Sequence, residues 1–306
     1  MKLYKRFIPL SVFAVLTMAA SAQNQPGTDS TGLPGDNFSL QGALQLFQNA
    51  SSPEDFEKQL NTESNKVNNL DLNGDGDIDY IRVVDKSEKD LHAFILQVPV
   101  SETESQDIAV IELEKTGDTT AILQIIGDEE IYGEEVIVEP NGGGDDEEDA
   151  AFKNGKGGPN PNFYDYNNNF RIVINVWGWP IVRFVYAPFY RPWVSPWRWL
   201  YYPAWWRPWR PLGWHHWHPF HIRHHHAFVR VHTHRVVHAH AIYRPVRVSS
   251  VTVRTRHSAA VGNYRVSRSK TTVTGPRGNS VTKKTTTVKG PGGNVKARKT
   301  TVKRKR

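Results

Sequence analysis

The chain has 306 residues, a net charge of +7 and no cysteine, which excludes disulfides, thiolate metal sites, a lipid-modified N-terminal cysteine and cysteine catalysis. The modest net charge hides two opposite poles: residues 23–150 carry 6 Lys and Arg against 30 Asp and Glu, and residues 151–306 carry 29 against 1. Such asymmetry suits a basic arm for polyanions, or contact between the two halves of the chain.

At the start, Lys2, Lys5 and Arg6 precede an apolar stretch over 7–19 and the small residues Ala20-Ser21-Ala22, the pattern of a signal peptide at 1–22. The alternative, an uncleaved anchor, has an apolar stretch shorter than the roughly 20 residues that span a bilayer. Export is expected, to the periplasm, the outer-membrane surface or the extracellular space. Residues 23–37 read as a flexible lead-in. Leu40, Leu44 and Phe47 fall at helical spacing behind Ser39, and Ser52, Pro53, Glu54 and Asp55 open a second helix that carries Phe56 and Leu60. Five β-rich runs follow, at 78–84, 91–98, 108–113, 121–126 and 135–138, joined too closely for helical crossovers. Residues 93–96 are apolar on both faces, as in a central strand, whereas Glu112 and Glu114 alternate with Leu113 as on a half-exposed one. The expected fold class is α+β, with two short helices packed on an antiparallel β-meander over 38–140.

A polar acidic and glycine-rich linker is expected at 141–169, a β-hairpin around Gly178-Trp179-Pro180 at 170–186, and a Trp/Pro/Arg/His-rich segment at 187–244. All 10 Trp lie between 177 and 217, and prolines at that density argue against regular helix and central strand. In the basic Thr/Val/Lys tail at 245–306, the run 271–279 recurs at 286–294, with Gly-Pro-x-Gly-Asn turn chemistry in each copy. With almost only valine to bury against about 1–2 kcal/mol of backbone entropy per residue, the tail is expected to be largely disordered, a β-ribbon being the alternative.

Three constellations carry chemistry. Asp71-Leu72-Asn73-Gly74-Asp75-Gly76-Asp77-Ile78-Asp79-Tyr80 resembles the calcium loop of EF-hand and dockerin-like families. The resemblance implies calcium on Asp71, Asn73, Asp75, Asp77 and Asp79 with weak, extracellular-class affinity, because Arg82 stands where the bidentate Glu belongs. An acidic turn opening a hairpin fits the same residues. Second, the pairs His232/His234 and His238/His240 would each point to one face of a strand and could share Zn, Cu or Ni, with no carboxylate nearby in sequence. A low-complexity tract that titrates near neutral pH is the alternative. Third, Arg191, Arg198, Arg207 and Arg210 among the tryptophans, and Lys283, Lys284, Lys303, Arg304, Lys305 and Arg306 in the tail, suit a polyanion. Export points to lipopolysaccharide, polysaccharide or phospholipid at the membrane periphery rather than to nucleic acid.

Residues 69–140, through the 71–80 motif, Leu96-Gln97-Val98-Pro99-Val100 and Glu129-Glu130-Ile131-Tyr132-Gly133, resemble an uncharacterised family of exported Bacteroidetes proteins. The resemblance implies export from a Gram-negative cell and no known activity. No nucleophile elbow, His-Glu-x-x-His or phosphate-binding loop occurs. The leading expectation is a non-enzymatic envelope protein that binds anionic surfaces through its tail. A metal-handling protein using the His segment comes second and an enzyme third.

Overall fold

Two serines start the first two helices. Ser39 Oγ accepts from Gly42 N to open α1 (Leu40–Asn49), and Ser52 Oγ accepts from Asp55 N to open α2 (Pro53–Leu60). Their buried faces meet through Phe47 and Phe56, edge to face at 5.2 Å. The computed structural model describes residues 30–141, 173–264, 266–274, 280–289 and 295–305. The expected signal peptide, the lead-in up to 29, the linker beyond Asn141, residues 170–172 of the expected hairpin and both Gly-Pro-x-Gly-Asn turns lie outside the described residues.

Strands β1 (Arg82–Glu88), β2 (Leu91–Pro99), β3 (Ser105–Gly117), β4 (Thr120–Gly127) and β5 (Val136–Pro140) pair antiparallel in chain order. A sixth strand from the second half, β6 (Phe228–Val231), adds beside β5. The architecture is α+β. Period-two alternation divides the side chains between two faces. Phe94, Leu96, Ile111, Leu113, Leu123 and Ile125 pack in one core with α1 and α2, while Ala93, Ile95, Val110, Ile126, Ile137 and Val231 pack in another with Tyr243. A short helix, α3 (Glu129–Tyr132), joins β4 to β5 behind the Asp128 cap.

Several expectations for the second half are corrected. Residues 173–179 form no strand, and Pro180 opens helix α4 (Pro180–Val185) instead of turning a hairpin. Ile181, Val182 and Val185 sit one and four residues apart, which places them on one helical face, and all three are buried in the α1/α2 core. The segment expected to lack regular structure holds α5 (Trp214–His221), which tolerates Pro219, then β6 and α6 (Val237–Tyr243). The tail expected to be disordered contains α7 (Val251–Asn263), capped by Ser250, and an antiparallel sheet of β7 (Val266–Thr274), β8 (Ser280–Lys289) and β9 (Val295–Lys305). Backbone ladders pair the three strands in antiparallel register. Glu112 and Glu114, expected on a half-exposed strand, are buried because second-half residues cover that face.

The two halves share one core and exchange polar contacts. Trp179, Phe228 and Val253 join the first-half cluster. Arg247 Nε lies 2.5 Å from Asp128 Oδ2, Val248 N donates to Asp107 Oδ2 at 2.8 Å, and Tyr190 Oη donates to Asp85 Oδ2 at 2.7 Å.

Tyr132 is wedged between two glycines. A Cβ on Gly127 would meet its ring at 2.6 Å and Leu40 Cδ1 at 3.0 Å, and one on Gly35 would meet the ring at 2.4 Å. The Gly127 backbone cannot retreat easily, since it pairs with Ala109 and Val136 in the sheet. Gly127→Ala should therefore cost about 1–3 kcal/mol in urea unfolding. Gly178→Ala, where nothing lies within 4 Å, should stay within about 0.5 kcal/mol.

Candidate metal centre

The pleat of β3 aims Glu112 and Glu114 at the same face, with Ala93 and Gln124 as the strand partners of Glu112. The chain crosses this face after β6, and Gln124 fastens it there. Its Nε2 donates to Thr233 O at 2.9 Å, and its Oε1 accepts from Arg235 N at 2.8 Å and Val236 N at 3.3 Å. Helix α6 then begins without a capping side chain of its own. Glu114 supplies one from the neighbouring strand: its Oε1 accepts from His238 N at 2.6 Å and Ala239 N at 2.8 Å.

This arrangement brings two imidazoles onto one carboxylate. His234 Nε2 lies 2.7 Å from Glu112 Oε2, and His240 Nδ1 lies 2.6 Å from Glu112 Oε1. The rings are 4.2 Å apart at 72°. One ligand atom from each of the three residues falls within 4.8 Å of the others, the one such group of His, Cys, Asp or Glu among the described residues. The Glu112 side chain is 0% exposed, whereas His240 and His234 keep 17% and 23% of their side-chain surface. The centre is therefore anchored in the sheet and reached from solvent over its imidazoles. Two nitrogens and one carboxylate oxygen form a donor set for borderline divalent ions. The hydrogen bond to Glu112 raises the pKa of His234 against the effect of burial, with further help from the charges of Glu112, Glu135 and Glu114.

The expected histidine pairs are thus replaced by one member of each. His238 and His240 lie on a helix, where residues two apart diverge, and His238 instead stands exposed with Nδ1 3.2 Å from Glu114 Oε2. His232 and His234 lie beyond the end of β6, and His232 is exposed outside the cluster. The Glu112 carboxylate is not legible in the sequence because it lies 122 and 128 residues from its two imidazoles. Two glutamates directly behind the apolar run at 108–111 were the available signal.

The acidic loop at 71–80 turns its oxygens onto its own backbone. Asp71 Oδ1 accepts from Gly74 N at 2.6 Å and Asp75 N at 3.1 Å, Asn73 Oδ1 from Asp75 N at 2.8 Å, and Asp75 Oδ1 from Asp77 N at 2.9 Å. Asp79 is buried and accepts from Leu72 N at 2.5 Å. Arg256 reaches the same loop and donates to Leu72 O at 3.1 Å. The carboxylates of Asp71, Asp75, Asp77 and Asp79 do not gather three within 4.8 Å of one another, as Glu112, His234 and His240 do.

Arg191, Arg198, Arg207 and Arg210 are exposed between α4 and α5. Arg198 stacks on Tyr201 at 5.0 Å, and Arg207 Nη1 donates to Trp206 O at 2.7 Å. Lys283 and Lys284 lie in β8, and exposed Lys303, with Arg304 and Lys305, closes β9. Arg306 is outside the described residues. No family model matches the chain, and no curated protein or solved structure is detectably similar to it.

Proposed function

We propose that the chain is an exported, non-enzymatic binding protein that takes a divalent transition-metal ion of the zinc, copper or nickel class at Glu112, His234 and His240. The observation that carries this reading is the convergence of three suitable donors, from a central strand, a crossing loop and a helix, within 4.8 Å. An ion at about 2.0–2.2 Å from each donor needs them roughly 3.3 Å apart. The imidazoles, now 2.6 and 2.7 Å from the carboxylate, would part from it by roughly 0.6–0.7 Å, and the protons of those hydrogen bonds would be released to solvent as the ion takes their place. Because the ligands come from both halves, occupancy also fastens α6 to the sheet. Three protein ligands leave a coordination position open, unlike a closed four-ligand structural site.

Calorimetric titration of the full chain with Zn²⁺ and Cu²⁺ should give one site tighter than about 10 μM over weaker binding by the remaining histidines. Glu112→Gln, His234→Ala and His240→Ala should each weaken that site by at least the roughly tenfold that loss of an outer partner costs. His232→Ala should leave it unchanged. A chain with no such site, or with a site indifferent to all three substitutions, would refute the reading.

A further inference from the structure

The segment from α4 to α5 presents an unusual surface. Phe184, Phe189, Val194, Leu200, Tyr201 and Trp205 stand in solvent, Phe189 at 94% and Leu200 at 77% exposure. The exposed charges among them, Arg183, Arg191, Arg198, Arg207 and Arg210, are all arginine. The other exposed residues between 183 and 210 are alanine and proline, so this stretch exposes no Asp, Glu, Asn, Gln, Ser or Thr.

The surface is displayed by a fastened loop. Asp85 N donates to Trp193 O at 2.7 Å, Ser195 N to Val83 O at 3.1 Å and Ile78 N to Trp209 O at 2.8 Å, which ties it to β1 and to the acidic turn. Ser195 and Trp206 are buried beneath it. The outward apolar side chains are therefore held away from a core that other members of the same loop have joined. Leu200 makes the point most sharply. It sits at φ +57 in a turn closed by Arg198 N to Tyr201 O at 3.1 Å and Tyr201 N to Arg198 O at 2.8 Å. Glycine or asparagine would be the relaxed choice in that left-handed region. A leucine there gains nothing from water and gains from an apolar phase.

We propose that this surface docks on an anionic lipid bilayer, its apolar and aromatic side chains entering the boundary between headgroups and acyl chains and its arginines pairing with lipid phosphates. Aromatic rings favour that boundary, and guanidinium groups match phosphate oxygens in pairs. A polysaccharide fits less well, because its hydroxyls also call for side-chain acceptors and the stretch exposes one, the Tyr201 hydroxyl, its exposed guanidinium groups and the Trp205 indole N–H being donors only. No helix among the described residues is long and apolar enough to cross a membrane. The contact proposed is insertion at the surface. It uses none of the metal-centre residues.

Co-sedimentation of the full chain with neutral phosphatidylcholine vesicles and with vesicles holding about 30 mol% phosphatidylglycerol tests this. The lysines of the C-terminal strands are also drawn to anionic vesicles, but salt at about 0.5 M screens that attraction while inserted apolar groups hold. Wild type should prefer the anionic vesicles and keep measurable binding at high salt. Phe189→Ser/Leu200→Ser should weaken binding about tenfold or more at both salts, and Arg191→Gln/Arg210→Gln at low salt. All four positions are exposed, so circular dichroism and metal titration should match wild type. Wild-type-like binding by the apolar variant, equal binding to both vesicles, no vesicle binding, or retention on lipid-free polysaccharide instead of vesicles would overturn the proposal.

Discussion

Glu57→Ala is expected to lower the unfolding free energy by about 4 kcal/mol or more, because it strips one acceptor group from four donors at once. Tyr80 Oη and Ser195 Oγ each donate to Glu57 Oε1 at 2.8 Å, and Val83 N at 2.8 Å and Trp193 Nε1 at 3.1 Å donate to Oε2. Tyr80, Val83 and Ser195 are buried, and a buried donor left without a partner costs about 1–3 kcal/mol. Burial pushes the Glu57 carboxyl above its usual range, so desolvation offsets part of what the hydrogen bonds supply. The truncation removes the bonds and leaves the donors in place. Trp193 and Ser195 belong to the second half, so the variant should also loosen the loop on β1. Urea unfolding followed by tryptophan fluorescence reads both effects, and a loss below about 1 kcal/mol would remove Glu57 from this role. Glu57→Gln keeps one acceptor oxygen but sets an amide N–H₂ against two donors, so its loss should be intermediate.

The first half was legible where the signal is local. Ser39 and Ser52 cap α1 and α2, and the spacing of Leu40, Leu44, Phe47, Phe56 and Leu60 places them in the core. Strand periodicity gave the sheet's apolar faces, although β1 begins at Arg82, later than the β-rich run at 78–84 suggests. Ile78 to Ile81 are buried without strand pairing, bonded instead to Trp209 O, Leu70 O and Asn61 Oδ1. In the second half, β-branched Ile181, Val182 and Val185 suit a strand by composition and a helix by spacing. Pro180 at the first helical position, the one place where a helix loses nothing by proline, decides for the helix. β6 is four residues long amid histidines and arginines and carries no such local mark.

The candidate metal centre shows the same limit at the level of side chains. The histidines could be named, but which of them face inward depends on α6 being a helix and on Gln124 holding the crossing chain. Glu112 reads as a surface charge on any strand considered alone. It becomes a buried partner of two imidazoles because the second half lies over it, and a contact spanning 122 residues leaves no trace in local periodicity. Charge asymmetry did point at contact between the halves. The ion pairs of Arg247 with Asp128 and of Arg254 with Glu130, at 2.5 and 3.8 Å, give that asymmetry an address.

Raising the pH from 4 to 8 is expected to cost the wild-type chain more stability than an Asp79→Asn variant, by on the order of 3 kcal/mol, since each pKa unit is worth about 1.4 kcal/mol. Burial, and then the charges of Asp71 and Asp75, push Asp79 from 3.8 up to about 7 against the opposing hydrogen bond from Leu72 N. Between those two values the native chain binds a proton that the unfolded chain has released, so stability falls as pH rises through the window. Asparagine keeps an acceptor for Leu72 N and carries no charge to desolvate. Asp107, pushed up to about 6 by burial, drives the same trend, while His221, held down to about 4 by burial and by His225, drives the opposite one. Both groups are common to the two chains and cancel in the difference. Urea unfolding at pH 4, 5, 6, 7 and 8 should therefore show the gap between variant and wild type opening across the range and levelling beyond pH 7. A gap that does not change with pH would mean that Asp79 is ionised in the native state throughout, and that the acidic turn holds its charge without cost.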